Sequence, residues 1–168
     1  MSPIKYTEKG WGLHDAVRVA GHLLAEVNGV WLADDATAVQ AIIDGYTLAH
    51  AIARRQADCL AIAKSLRDKA ISGISQGEMA GWPLKLVEAR AFAASPATAQ
   101  TPMLSAEAAS RGVTVAELVG KVVGNSARFA GLEAAIGGTD GRHRDALARL
   151  TNFEDVASYD LTAGWPAV

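Results

Sequence analysis

Four histidines, one cysteine and an adjacent pair of aspartates are the residues of this chain best suited to chemistry. A helical metal site needs ligands one turn apart, as in His-Glu-x-x-His, and none of His14, His22, His50 or His143 stands in that arrangement. Each is expected at a surface or a core boundary. Cys59 has the nucleophile's atom, but it falls on the apolar side of a helical pattern, where a buried and inert thiol is expected. Asp34-Asp35 resembles a pair of metal ligands, yet helix capping accounts for it without a metal. The chain has no Gly-x-Ser-x-Gly elbow, P-loop or dinucleotide fingerprint. The reading is of a protein that is not an enzyme, with no cofactor, no metal and no catalytic residues.

The elements that would position such residues are mostly helical. Asn28-Gly29, between Leu23 to Val27 and Val30 to Ala33, supplies the two positive-φ residues of a type I′ turn and predicts a β-hairpin. Asp34 and Asp35 then cap a short helix from Ala36 to Ile43. From Thr47 the pattern predicts a long helix to about residue 72, with Leu48, Ile52, Cys59, Ile62 and Leu66 on its apolar face. Arg54 with Asp58 belongs on its wet side. Gly73, Gly77 and Gly81 weaken the next stretch, and Trp82-Pro83 reads as a restart, with a helix over 83–94. A further short helix covers Met103 to Ser110, stopped by Arg111-Gly112. Thr114 and Glu117 have capping-box spacing and open a second long helix over 115–136, with Leu118, Val122, Phe129 and Ile136 facing the core. Gly137-Gly138 is expected to end it before a short charged helix, Asp140 to Leu150, and a tail that turns at Asn152. The expectation is a mostly α protein: a helical body of two long and several short helices, residues 47–168 with the C-terminal tail, and a small N-terminal β-hairpin head, residues 1–46.

Two sets of residues are candidates for contact. Trp11, Trp31 and Tyr46 are a candidate partner interface, because a hairpin and one short helix cannot bury so much aromatic surface alone. Trp82 and Trp165, each in Gly-Trp-Pro, are read as lids at element ends. Gly120, Gly124 and Gly131 are candidates for close helix packing, since each glycine costs a helix about 1 kcal/mol and needs a packing reason.

Charge and hydropathy narrow the partners. With 16 Lys and Arg against 18 Asp and Glu, nothing draws the chain to phosphates, so nucleic acid is not expected as a ligand. Half of the residues are hydrophobic, ample for a core, while no run of about 18 uncharged apolar residues would cross a membrane. A single cysteine excludes a disulfide framework within the chain and suits a reducing compartment; the first residues contain no apolar run of a signal peptide.

Three segments carry a family resemblance. YTEKGWGLHDAVRVAGHLLAEVNGVWLADDATAVQAIIDGY resembles the opening of small proteins encoded beside tail-fibre genes in tailed phages and prophages. GWPLKLVEARAFAASPATAQTPMLSAEAASRGVTVAELVGKVV and the closing YDLTAGWP resemble the helical part of tail-fibre-associated and tail-fibre assembly proteins. The resemblance implies a protein of the virion tail or of its assembly, acting by contact rather than by chemistry, and leaves open whether the chain stays in the particle. The expectation taken is a non-enzymatic structural component of a phage tail, associated with the tail fibre or the distal tail, made in the bacterial host cytoplasm and located in the virion tail. Its implied partners are phage tail or tail-fibre proteins, with homo-oligomers a further expectation and the hairpin head as the contact. A tail-fibre assembly chaperone that leaves the particle is the alternative, and a tail-borne cell-envelope hydrolase the third reading.

Overall fold

A computed structural model describes residues 1–168 as seven helices and one small antiparallel sheet. The chain is mostly α, with the hairpin at its N-terminal end. In order, the elements are β1 (Ser2–Pro3), α1 (Trp11–Val19), β2 (Leu24–Val27), β3 (Val30–Ala33), α2 (Ala36–Gly45), α3 (Leu48–Ala70), α4 (Gln76–Ala94), α5 (Pro102–Arg111), α6 (Val115–Ala148) and α7 (Phe153–Ser158). No helix is long and apolar enough to cross a membrane.

Backbone chemistry places these elements where local sequence demands them. Asn28 and Gly29 adopt φ of 52° and 78°, the left-handed pair that lets β2 and β3 close with a two-residue turn. Val27 faces Val30, and β1 pairs with the other edge of β3, so the strand order is β1-β3-β2. Asp35 caps α2, its carboxylate accepting from the N–H groups of Thr37 and Ala38 at 3.0 Å each. Asp34 instead accepts from Leu23 N–H at 3.0 Å and ties the start of β2 to the end of β3. The Thr114–Glu117 box forms in full: Thr114 N–H donates to Glu117 Oε2 at 2.8 Å and Glu117 N–H to Thr114 Oγ1 at 3.2 Å. Gly112 follows α5 at φ 64°, where a side chain would be strained.

Several expected boundaries differ. The helix expected from Pro83 begins at Gln76, capped by Ser75, and runs through the proline. A proline inside a helix loses its own N–H bond to the carbonyl one turn earlier and crowds that carbonyl, yet Met79, Trp82 and Leu86, on either side of it, lie half-buried along one helical face. Gly137-Gly138 does not end α6. Neither glycine takes a positive φ, no proline follows, and Thr139, His143 and Leu147 continue a buried stripe at helical spacing. Asn152 caps α7, which the tail was not expected to contain. β1 and α1 also lay outside the sequence reading.

The chain divides into two compact units, one of residues 1–65 and 138–165, the other of 66–137 and 166–168. In the first, Leu13, Val17, Ala33, Val39, Ile43 and Tyr46 form a core with Ala51 of α3 and Val156 of α7. The expected head, residues 1–46, therefore shares its core with residues on both α3 and α7. A second cluster in this unit joins Cys59, Leu147 and Leu161. The other unit has its own core of Ala89, Leu104, Ala108, Leu118 and Val119. There Glu88 of α4 accepts from Met103 and Leu104 N–H at 3.1 and 2.9 Å, which satisfies the free donors that open α5.

Candidate functional site

The residue-by-residue placement of the aromatic candidates separates them. Tyr46 is buried, 7% exposed, and lies in the core against Phe153. Its hydroxyl has no hydrogen-bond partner, and burial raises its pKa above the ordinary value. Tyr46 is thus a core residue and not a contact surface. Trp31 is half-buried, stacked on Tyr6 with ring centroids 4.0 Å apart and edge-on to His14. Trp11 alone of the three is open, at 44%, with the Arg54 guanidinium 4.7 Å from its ring. Arg54 also reaches Asp58 at 2.9 Å and Asp15 at 3.1 Å, so its charge is held between a carboxylate of α3 and one of α1.

The glycines of α6 are likewise displaced from their expected role. A Cβ built on Gly120, Gly124 or Gly131 would meet no atom within 4 Å, so no other helix of the chain crosses there. The small-residue row faces open space because the buried side of α6 is the one carrying Leu118 and Ile136. Phe129, expected beside them, is 41% exposed.

The chemistry-bearing residues sit in structural networks. Cys59 is fully buried, with Sγ 3.3 Å from Asp140 Oδ1. Burial first, and the Asp140 carboxylate second, push its thiol up to about 12, which leaves no thiolate nucleophile at neutral pH. His143 is not the boundary residue expected from sequence but is 3% exposed, stacked on Trp165. The Ala163 carbonyl 2.9 Å from Nε2 can only accept, so Nε2 carries the ring proton, and Nδ1 accepts from the Tyr159 hydroxyl at 3.0 Å. Arg55 donates to the carbonyls of Val156 and Tyr159, and Trp165 Nε1 donates to Leu161 O at 2.7 Å. Together these bonds fasten the C-terminal segment to α3 and α6.

A groove in the second unit offers more recognition surface than any of these. It offers about 940 Å³ between α4 and α6, with Ala70 and Ile74 also in its lining. Met79, Trp82 and Leu86 form one wall, Val122, Phe129 and Leu132 the other. The Trp82 and Phe129 rings meet edge to face at 5.9 Å. At the rim, Lys85 Nζ lies 2.6 Å from Glu107 Oε2 and Arg111 2.7 Å from Glu107 Oε1. These cations, Lys85 foremost, hold the Glu107 carboxyl below the usual carboxylate range. Lys121 and Arg128 line the α6 side. The volume lies within the range of ligand sites, and the apolar walls with a charged rim suit apolar side chains of a partner. Sequence reading missed this wall because Pro83 appeared to divide it. The usable signal was the spacing of Met79, Trp82 and Leu86, which is helical straight across the proline.

Compared with protein-family models, curated proteins and solved structures, the chain matches none of them.

Proposed function

We propose that the chain is a non-enzymatic structural component of a phage tail, associated with the tail fibre or the distal tail, and that it works by contact with tail proteins. The resemblance of its three segments to tail-fibre-associated proteins motivates the tail assignment. The observation that supports a contact role is the open groove between α4 and α6, where Trp82 and Phe129 leave aromatic surface facing solvent. Aromatic anchors of this kind supply most of the energy of protein interfaces.

Mass spectrometry of purified particles tests the assignment, with stoichiometric presence of the chain expected. Particles assembled with Phe129→Asp should carry less of it, because a carboxylate in an apolar groove opposes docking. Recovery of the chain with fibre protein before assembly, but not in finished particles, would support an assembly chaperone instead. Absence from both would defeat the tail reading altogether.

A further inference from the structure

The sheet in the first unit has an unusual outer face. Side chains alternate along a strand, and Leu24, Trp31 and Ala33 point inward, towards α1 and the core. The opposite set is therefore Ala25 and Val27 on β2, Val30 and Leu32 on β3, and Pro3 on β1, with Leu23 continuing the row. Antiparallel sheets with one wet face normally alternate apolar and polar residues, and here the wet row is apolar throughout. Leu23, Val27 and Val30 are 64%, 49% and 47% exposed. β2 is moreover an edge strand. Val27 and Val30 flank a two-residue turn as a bonded pair, so Ala25 also bonds to β3, whereas Leu24 and Glu26 turn their N–H and C=O groups away from it. The bond from Asp34 N–H to Leu23 O continues that alternation. The edge has no proline, lysine or bulge; its protection is limited to its four-residue length and to Glu26, which the register sets on the same face as Trp31.

We propose that β2 pairs antiparallel with β2 of a second copy of this chain, about a two-fold axis through Ala25, joining the two sheets into one. A two-fold perpendicular to a sheet keeps each face on its own side, so residues opposite one another must belong to the same alternating set. Centring the axis on Ala25 sets Leu24 opposite Glu26 of the second copy, and Glu26 opposite its Leu24. All the outward N–H and C=O groups of these residues are then satisfied, in two bonded pairs. The same register sets each exposed Leu23 opposite a Val27 on the apolar face. Centring the axis on Glu26 would place two carboxylates opposite each other and satisfy fewer groups. The sequence of this edge is thus complementary to itself in hydrogen bonding and apolar contact, and the register keeps the two Glu26 carboxylates from facing each other, which is why the occupant is a second copy and not an unrelated strand.

The register makes Ala25 face itself across the axis, in the unbonded type of pair with Cα atoms about 4.5 Å apart, within reach of a disulfide. The full-length Ala25→Cys chain should form a disulfide-linked dimer under mild oxidation with copper phenanthroline. Val30→Cys, more exposed than the half-buried Ala25 but remote from the axis, should react far more slowly; Cys59 is buried and does not compete. Sedimentation equilibrium of the unmodified chain should show a concentration-dependent dimer. Glu26→Pro, which deletes an outward donor but no bond to β3, should weaken that dimer about tenfold or more and abolish the Ala25→Cys cross-link. If circular dichroism shows Glu26→Pro to be unfolded, Ala25→Lys serves instead, placing like charges across the axis and abolishing the dimer. A chain that stays monomeric at every concentration, with Ala25→Cys no faster than Val30→Cys, overturns the proposal. So does a dimer that a folded Glu26→Pro or Ala25→Lys chain leaves intact.

Discussion

Tyr46 carries a hydroxyl that burial has left without a partner, beside Gly12 at the start of α1. An unsatisfied buried polar group costs about 1–3 kcal/mol, whereas the ring itself is core. Tyr46→Phe should therefore melt at the same temperature as the parent chain or higher, while Tyr46→Ala should lose about 3–5 kcal/mol in a denaturant titration. A clear loss in Tyr46→Phe would mean that the hydroxyl is bonded in solution. Placing Tyr46 from sequence alone failed for a plain reason. An aromatic residue after a short helix has the same local pattern whether it meets Phe153 or a partner, and Phe153 is 107 positions away (153 − 46).

At the scale of elements, α6 tests what its glycines do. Gly124 is helical with no atom within 4 Å of a Cβ, so the substitution has no clash to oppose it. Gly124→Ala should add about 0.8–1 kcal/mol and raise the thermal midpoint. A fall would show that a second molecule packs there. The junction of α4 and α5 is tested by acid. Glu107 is ion-paired to Lys85 on α4 and Arg111 on α5, and its pKa is lowered from the ordinary 4.5. A carboxyl with a depressed folded-state pKa contributes stability that is complete above its unfolded value and disappears as pH falls through the folded one. Denaturation of the parent chain followed from pH 6 downward should show that loss beginning near pH 4.5, and Glu107→Gln should flatten it. Equal acid sensitivity in the two chains would show that other carboxylates carry the effect.

For the molecule as a whole, the decisive question is whether residues 1–46 fold apart from the rest. Deleting them removes Leu13, Val17, Ala33, Val39, Ile43 and Tyr46 from their core and leaves Ala51, Val156 and Phe153 facing water. Residues 47–168 expressed alone should therefore lose helical signal by circular dichroism or aggregate, rather than persist as a soluble helical fragment. A fragment with a cooperative melt like that of the full chain would show that residues 66–137 and their core of Ala89, Leu104 and Leu118 suffice.

What the sequence determined by itself was local: the Asn28-Gly29 turn, the Asp35 cap, the Thr114–Glu117 box and the periodicity of α3 each depend on residues within a few positions of one another. Helical periodicity and hairpin chemistry act over one or two turns of chain, so the mostly α class with an N-terminal hairpin was legible. Only the tertiary structure decided where those faces were spent. It carried α4 through Pro83, and it carried α6 through Gly137-Gly138, where burial of Thr139, His143 and Leu147 outweighs a poor helix former. It also hid Tyr46 and His143, left Gly124 open, and brought Trp82 to Phe129 across 47 positions (129 − 82). Contacts of that range are set by which elements pack together, and the free energy that chooses among packings comes from area buried by residues distant in the chain.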